Sequence, residues 1–331
     1  MSRETPQDDM PAQGGEPPDF RAGFVGLFGR PNVGKSTLLN VLIGQEIALA
    51  TKFPQTTRER MLGVWTTPSF QAVLVDTPGM HRAKSALNRF MVHAAVQSAA
   101  GVDLLLFLAE MPGVVDAAGA DKWRPGEGAL AALDLLKSRG RPIVLVLTKC
   151  DVPSDRAFVL PVIDRWSEHH AFAAVVPTSA RRKTGLDALR SEVASRLPVG
   201  PALYDPDHLS DRTMRWHAAE IIRGELFGAL SDELPYSCAI TVETFQEGPT
   251  ACRVLATVHV ERQSQKGIVI GAKGRQIRAI SIGSRRRIAE LAGQPCDLVL
   301  QVRVSDNWTK DPHKLAQFGY GPKGPGAGGK R

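Results

Sequence analysis

Cysteine, aromatic residues and long apolar runs are all scarce in this chain of 331 residues. Its four cysteines are scattered and form no C-x-x-C pair, so neither a zinc site nor a disulfide framework is indicated. No apolar run approaches the roughly 18 residues that a membrane-spanning helix needs. The first 23 residues lack the basic-then-apolar order of a signal peptide. These absences lead us to expect a soluble protein of the cytoplasm.

The chain is instead rich in hydrophobic residues, at 43%, and carries a formal net charge of +7. The apolar content is sufficient for the cores of two domains at this length. A positive excess favours a polyanionic partner such as RNA, DNA or an acidic membrane surface. Where the positive charge concentrates along the chain therefore matters more than its total.

Residues 29–36, G-R-P-N-V-G-K-S, have the G-x-x-x-x-G-K-S spacing of a phosphate-binding loop. The apolar run 24–28 predicts a buried strand leading into this loop, and residues 37–43 predict a helix leaving it. Glycines let successive N–H groups point into one concavity, and the helix N-terminus adds a partial positive charge. Lys35 would then reach the outer phosphates of a nucleotide, and Ser36 would bind magnesium.

Two motifs further along the chain are of the kind that respond to a terminal phosphate. The polar stretch 50–58 contains a proline and predicts an exposed loop, in which a threonine hydroxyl could reach the metal only while that phosphate is present. The apolar run 71–75 predicts a buried strand that ends at Asp76, where a metal–water ligand is needed. The N–H of Gly79 can contact the outermost phosphate. The pattern predicts a nucleotide-operated switch.

Continuous apolar runs at 103–108 and 142–147, separated by a helical segment at 128–137, predict a parallel sheet covered on both faces. The second run leads to Asp151, whose carboxylate can accept two hydrogen bonds from the N1–H and 2-amino groups of guanine. Adenine lacks both donors, so an unpaired buried carboxylate would penalise ATP. The loop T-S-A at 178–180 consists of small residues and can pack against the same base. We therefore expect GTP to be preferred over ATP.

The second half of the chain has a different organisation. Residues 198–211 contain three prolines and a glycine, the composition of a linker. Beyond them the pattern predicts a helix over 213–230, followed by an antiparallel pair of strands around 238–245 and 252–260. A G-A-K-G turn at 271–274 then precedes a second amphipathic helix. Such a turn lets a nucleic-acid backbone approach two helix ends without Cβ obstruction, beside an apolar groove that accepts unstacked bases.

The charged residues around this turn are all basic. Between positions 262 and 287 they are Arg262, Lys266, Lys273, Arg275, Arg278, Arg285, Arg286 and Arg287. The positive charge of the chain is thus focused here, which favours the binding of single-stranded RNA. The plainer alternative is a turn between helices with a solvated basic face.

The motifs G-R-P-N-V-G-K-S, P-Q-T-T-R, D-T-P-G, T-K-C-D and T-S-A follow one another between residues 20 and 197. In this order they resemble the motifs of translation-factor-class GTPases, and in particular those of the Era family of ribosome-associated GTPases. The second half resembles the KH domain of that family, including D-N-W at 306–308. The resemblance implies an α/β P-loop GTPase domain, with a mostly parallel sheet and helices on both faces, followed by an α+β type II KH domain. The expected divisions are a flexible arm (1–20), the GTPase domain (21–198), a linker (199–212), the KH domain (213–310) and a flexible basic, glycine-rich tail (311–331).

The resemblance also implies roles for individual residues, which group by ligand. The GTP phosphates would be held by Gly29, Asn32, Val33, Gly34, Lys35, Ser36, Thr37 and Gly79. The switch residues would be Thr56, Thr57, Asp76, Thr77, Pro78 and Met80. Magnesium would be coordinated by Ser36 and Thr57, and by Asp76 through a water molecule. Guanine would be recognised by Thr148, Lys149, Asp151, Ser179 and Ala180. RNA would be bound by Lys266, Gly271, Ala272, Lys273, Gly274, Arg275 and Arg278.

Two positions depart from related patterns. Thr148 stands where the commonest family pattern has Asn. Met80 stands where Ras-like switches carry a glutamine that orients the attacking water, so we expect unassisted hydrolysis of GTP to be slow. In relatives, an asparagine at the position of Asn32 holds a potassium ion beside the phosphates. The resemblance thus implies potassium as one source of the charge that replaces an arginine finger, and another loop or a partner protein are the alternatives left open.

The function implied by the resemblance is that of a GTP-hydrolysing switch. It would bind 16S rRNA near its 3′ end through the KH domain and assist assembly of the 30S ribosomal subunit, as a monomer without affinity for DNA. Peripheral association with the inner face of the cell membrane is also expected. The alternatives left open are a membrane-surface GTPase whose basic region binds anionic lipid, and a metabolic P-loop enzyme such as a kinase or ATPase.

Overall fold

The structure, a computed structural model, describes residues 17–48, 60–80, 97–113, 122–152, 158–230 and 234–320. The first 16 residues of the expected arm, the whole predicted threonine loop (50–58) and residues 321–331 of the expected tail lie outside these ranges. Among the described helices, none is long and apolar enough to cross a membrane.

The first half of the chain forms a six-stranded sheet in the order β2-β3-β1-β4-β5-β6. Its strands are β1 (Arg21–Gly29), β2 (Met61–Thr66), β3 (Phe70–Asp76), β4 (Leu104–Glu110), β5 (Ile143–Thr148) and β6 (Ala174–Pro177). The described helices around it are α1 (Lys35–Ile43), α2 (Glu127–Lys137), α3 (Val159–Ser167) and α4 (Leu186–Arg196). All strand pairs are parallel except β2 with β3. The expected α/β class is confirmed, with one antiparallel edge strand.

The central strands β1 and β4 are apolar except for Arg21 at the start of one and Glu110 at the end of the other, because both of their faces are covered. Side chains on alternate positions of β1 and β4 enter two separate buried clusters, one on each side of the sheet. Such double coverage removes the polar–apolar alternation of a one-sided sheet. Strand β2 was not among the predicted strands, because it is short and has a glycine, Gly63, in its middle.

The predicted linker is an ordered strap on the edge of this sheet. Asp211 accepts a hydrogen bond from the N–H of Leu62 at 2.8 Å, and Ser210 forms a bridge to Gly63. The buried side chain of Gln71 accepts hydrogen bonds from the N–H groups of Leu203 and Tyr204. The strap covers an edge that would otherwise present unpaired backbone groups. Composition alone predicted the domain boundary but not these contacts.

The second half forms a three-stranded sheet in the order β7-β8-β9, with helices packed on one face. Its elements are α5 (Met214–Ala229), β7 (Ala239–Glu247), β8 (Cys252–Val260), α6 (Gln263–Ile270), α7 (Arg275–Ala292), β9 (Cys296–Val304) and α8 (Pro312–Gln317). The pair β7–β8 is antiparallel and β8–β9 is parallel. Up to β9 the order is α-β-β-α-α-β, as expected for a KH domain.

The expectation of a flexible tail from residue 311 is wrong for residues 311–320. Helix α8 begins at Pro312, and the Asp311 side chain caps its N-terminus. Trp308 and Tyr320 are fully buried together, and the indole N–H of Trp308 donates to the carbonyl of Ser237 at 2.8 Å. The Arg223 guanidinium, itself buried in α5, donates to the Tyr320 hydroxyl at 2.9 Å. These contacts fold the segment onto the second domain.

Candidate nucleotide and nucleic-acid sites

The phosphate-binding loop joins the end of β1 to the start of α1, as its spacing predicted. Gly29 lies against β4, where an added Cβ would be 2.5 Å from the carbonyl oxygen of Leu108. Gly34 precedes α1 with a φ of 98°, in the left-handed region that favours glycine. Asn32 also has a positive φ, of 64°. The loop therefore has the close approach and backbone curl that an anion cradle requires.

Lys35 is buried at the first position of α1 and lies beneath the loop. Its Nζ donates to the carbonyl oxygens of Arg30 at 3.0 Å and Gly29 at 3.4 Å. Burial lowers the pKa of Lys35 to about 8, although the charge of Asp76 opposes this shift. An incoming phosphate would supply the negative charge that the buried ammonium lacks.

Asp76 lies at the carboxyl end of β3 and is fully enclosed beside the loop. Its Oδ2 accepts a hydrogen bond from the Ser36 hydroxyl at 2.9 Å, whereas its Oδ1 is buried without a hydrogen-bond partner among the described residues. Burial raises the pKa of Asp76, and the nearby Lys35 charge opposes the rise. A hydroxyl beside a carboxylate oxygen with spare lone pairs is the oxygen donor set that Mg²⁺ prefers. The residues present therefore fit a magnesium ion.

The segment after Asp76 is joined closely to the phosphate loop. The Thr77 hydroxyl donates to the Leu27 carbonyl at 2.7 Å, and the Met80 N–H donates to the Gly29 carbonyl at 3.0 Å. An added Cβ on Gly79 would lie 2.7 Å from the backbone nitrogen of Pro31, so only glycine allows this approach. Pro78 is buried between Thr77 and Gly79. The Met80 side chain is 1% exposed and packs in the apolar cluster, so it offers no group to an attacking water.

A cavity of about 270 Å³ lies between the start of α1 and the loops after β5 and β6. Thr37, Thr148, Lys149, Asp151 and Ala180 all line it. The structure thus brings predicted phosphate residues and predicted guanine residues to one cavity. Its volume is near the lower end of the range for ligand pockets.

Two ionisable groups of this cavity have defined partners. The Ser179 hydroxyl donates to Asp151 Oδ1 at 2.6 Å, and this hydrogen bond lowers the pKa of Asp151, which keeps it ionised. Lys149 has a φ of 59°, and its Nζ lies 2.9 Å from Glu110 Oε1 at the end of β4. Sequence reasoning missed Glu110. Its only signal was an acidic residue directly after a long apolar run.

Thr148 keeps a bond to the phosphate loop despite its difference from asparagine. Its hydroxyl is buried and lies 2.6 Å from the carbonyl oxygen of Val33. A second carbonyl, that of Ala109, is 3.3 Å away. The guanine-side loop is therefore joined directly to the phosphate-side loop. Of the predicted switch residues, Thr56 and Thr57 lie outside the described residues.

The G-A-K-G turn is exposed between α6 and α7. Gly271 and Gly274 have φ values of 72° and 74°, and an added Cβ on Gly271 would lie 2.7 Å from the Cβ of Gln276. Lys273 also adopts a positive φ, of 53°, and its side chain points away from the core. Arg275 and Arg278 follow on the exposed side of α7, and Lys266 is half-buried on α6.

A groove of about 440 Å³, lined by apolar and basic side chains, lies along α7 and β9 and begins at Ile277, three residues after the turn. Ile282, which is 58% exposed, lies in it between Arg278 and Arg285, one helical turn from each. Leu300 of β9 forms the opposite wall. Ile282, Arg285 and Leu300 were not among the predicted RNA-binding residues. The 3.6-residue spacing of 278, 282 and 285 was the signal that could have identified the first two.

Comparisons with known proteins agree with these two sites. Residues 24–149 match the family described as 50S ribosome-binding GTPase, and residues 233–309 match the KH domain family. GTPase Era of Geotalea uraniireducens is 42% identical over 91% of this chain and 98% of its own length. GTPase Era of Stenotrophomonas maltophilia is 40% identical over 90% and 97%, respectively.

Two solved structures resemble this chain over both domains. One is a single-substitution variant of Aquifex aeolicus Era bound to GDP·AlF4⁻, with a TM-score of 0.83 and 31% identity over 92% of this chain and 100% of the other. The second is Era in complex with MgGDPNP and nucleotides 1506–1542 of 16S ribosomal RNA, with a TM-score of 0.84 and 32% identity at the same coverage.

Proposed function

Because this chain belongs to the Era family of GTPases, we propose that its GTP cycle controls binding of 16S rRNA, near the 3′ end, during assembly of the 30S subunit. The chain is a GTPase with a KH domain.

The observation that carries the proposal is the exposed G-A-K-G turn with its basic surroundings. Lys273, Arg275 and Arg278 are all exposed there, and Arg278 also lines the groove along α7 and β9. A backbone can approach the two glycines, basic side chains neutralise its phosphates, and unstacked bases enter the groove. The similar Era structure that holds nucleotides 1506–1542 of 16S rRNA supports RNA as the ligand.

At the nucleotide site, the loop amides and Lys35 hold the phosphates of GTP. Ser36 and, through water, Asp76 would hold magnesium, with Thr57 as the ligand that depends on the terminal phosphate. The similar Era structure that contains MgGDPNP supports this ion. The ion neutralises charge on the phosphate oxygens. Asp151, kept ionised by Ser179, accepts the two guanine donors, so ATP is disfavoured. GTP would order the loop that carries Thr57 in the state that binds RNA, and hydrolysis would release it.

The buried Met80 side chain cannot orient the attacking water, and hydrolysis needs in addition a group that stabilises developing charge. We propose that Asn32, in the phosphate loop with its positive φ, holds a potassium ion for this purpose. Replacing K⁺ by Na⁺ at constant ionic strength should then lower kcat by about 100-fold or more, since a lost cation costs as much as a lost charge-stabilising donor. Equal rates in both salts would remove potassium from the mechanism.

The test of RNA binding uses the variant Lys273→Asp with Gly274→Asp. It should abolish binding of an RNA with the sequence of nucleotides 1506–1542 of 16S rRNA, because two negative charges then face the phosphates. Basal GTP hydrolysis should be unchanged. Lys310→Asp is the matched control, since Lys310 is an exposed lysine of the same domain outside the turn.

Retained RNA binding by the double variant would show that the turn is not the site. Flotation with vesicles of anionic phosphatidylglycerol separates the lipid alternative. The lipid alternative predicts that the wild-type protein binds these vesicles but not the RNA, and that the double variant no longer binds the vesicles. That result would identify the basic surface as a lipid-binding site.

A further inference from the structure

Two helices of this molecule each begin at a ligand-binding turn. Helix α1 begins at Lys35, directly after the phosphate loop, and α7 begins at Arg275, directly after the G-A-K-G turn. Helices are stiff over such lengths, so a displacement at one end is carried to the other. Where the far ends of α1 and α7 lie therefore determines whether one site can affect the other.

An ion pair joins the segment that follows α1 to the C-terminal half of α7. Arg287, about 18 Å along α7 from Arg275 at 1.5 Å per residue, places its Nη2 2.7 Å from Oε1 of Glu46. Glu46 lies just beyond the end of α1 in the GTPase domain. The other side of the guanidinium is held within the KH domain, where Nη1 lies 3.5 Å from Oε1 of Glu225 on α5. Arg287 thus connects the two domains from a fixed position.

Glu46 belongs to a segment that is fastened to α1. The Asn40 side chain of α1 accepts hydrogen bonds from the N–H groups of Ile47 at 3.1 Å and Ala48 at 2.8 Å. Its amide donates to the carbonyl oxygen of Ala48, also at 2.8 Å. A change at the phosphate end of α1 is therefore transmitted to residues 45–48 rather than absorbed by a loose loop.

The same segment has a second contact with the KH domain. The imidazole of His217, on α5, hydrogen-bonds the backbone of Ile47 and is mostly buried. A polar cleft of about 310 Å³ remains between the segment and the two helices, with Glu290 of α7 on its wall. The junction is thus polar and incompletely filled, unlike a domain core, so it can accommodate more than one arrangement.

We propose that the Glu46–Arg287 pair couples the nucleotide site to the RNA site, so that each ligand changes the affinity for the other. Both side chains are positioning residues and touch neither ligand. The inference rests on the proposed binding of RNA at the G-A-K-G turn. Coupling of this kind is reciprocal: the factor by which RNA changes GTP affinity equals the factor by which GTP changes RNA affinity.

The experiment measures the Kd for GDPNP on the full chain with and without saturating RNA of the 1506–1542 sequence. The ratio of the two Kd values in wild type should lie between about 5 and 150. In Glu46→Gln it should fall about threefold, as expected for loss of one ion pair, while the Kd for each ligand alone stays within about twofold. Glu46 is suited to this because its side chain is 61% exposed, so the variant should fold.

Glu290→Gln is the matched control. It removes the same charge from the same cleft, but Glu290 pairs with Arg286 on its own helix, so the ratio should remain that of wild type. Adding Arg287→Gln to Glu46→Gln should cause no further loss, because the pair is already broken.

The outcomes separate this inference from the proposed function. If RNA binds but the ratio of GDPNP Kd values is the same in Glu46→Gln as in wild type, the Glu46–Arg287 pair does not couple the sites. A ratio of 1 in wild type would likewise show that the sites are not coupled. In both cases the proposed RNA binding is unaffected. If wild type does not bind the RNA at all, the proposed function fails and this inference fails with it.

Discussion

The molecule contains two glycine turns that precede helices, and they differ most in burial. In the phosphate loop, Lys35 is 7% exposed and donates to backbone carbonyls. In the G-A-K-G turn, Lys273 is exposed, and its neighbours are exposed arginines. A buried lysine suits a compact ligand that excludes water, whereas exposed charges suit a long polyanion held by screened attraction. The same local device therefore serves two kinds of recognition.

The comparison is tested most strongly by removing the buried lysine. Lys35→Ala should weaken GTP binding by about 100-fold or more, because it deletes a charge-assisted contact in a site of low dielectric constant. The apo protein should remain folded, since Lys35 carries a desolvation cost in the absence of phosphate. Titration with a fluorescent GTP analogue measures the first effect and thermal unfolding the second. Unchanged GTP affinity would remove the loop from the nucleotide site.

The exposed turn should instead be recognised by its response to salt. If about four phosphates are held at the turn, the RNA affinity should fall with a logarithmic slope of about −2.8. Raising NaCl from about 50 to 200 mM would then weaken RNA binding by ~50-fold. The affinity for GTP, measured in parallel, should change much less. Equal slopes for the two ligands would contradict the contrast in burial.

A pH titration should affect the buried lysine in a defined direction. Burial lowers the pKa of free Lys35 to about 8, and bound phosphate must raise it, so binding above pH 8 takes up a proton. Affinity for GDP should therefore be constant below pH 8 and fall by about tenfold at pH 9. Isothermal titration in buffers of different ionisation enthalpy would report the proton uptake. Lys35→Arg, which stays charged, should lose this dependence.

The smallest expected effect concerns the bond that joins the guanine side to the phosphate side of the site. Thr148→Val keeps the shape but removes the hydroxyl that contacts the Val33 carbonyl. We expect the GDP dissociation rate to rise about 5- to 10-fold, the value of one buried hydrogen bond. Thr148→Asn restores a donor and should keep the slow rate. A rate unchanged in Thr148→Val would mean that the hydroxyl does not stabilise the loop.

The motifs could be read from the sequence because each depends on residues close together in the chain. The phosphate loop needs Gly29, Gly34, Lys35 and Ser36 within eight positions, and the G-A-K-G turn needs four. Apolar runs placed the parallel strands because burial on both faces leaves no polar positions. Strand β2 was not predicted because an edge strand of six residues with a central glycine has only a weak hydrophobic pattern.

Contacts between residues that are far apart in the chain produce no comparable local pattern in the sequence. Glu110 was missed because its ion pair with Lys149 depends on the register of β4 and β5, which places Glu110 opposite Thr148 at the ends of the two strands. Residues 311–320 were expected to be flexible, yet Tyr320 is buried against Arg223, which is 97 positions earlier in the chain. A polar, glycine-rich composition predicts flexibility only where no such partner exists elsewhere in the fold.

The sequence by itself determined that the chain has a guanine-nucleotide site and a separate basic turn, because each is built from a short motif whose chemistry follows from residue type and spacing. Only the tertiary structure decided how they are connected. Glu46 and Arg287 are 241 positions apart, and neither lies in a recognisable motif. Their contact depends on the strap along β2, the packing of α5 on α7 and the attachment of residues 45–48 to α1, which are properties of the whole fold.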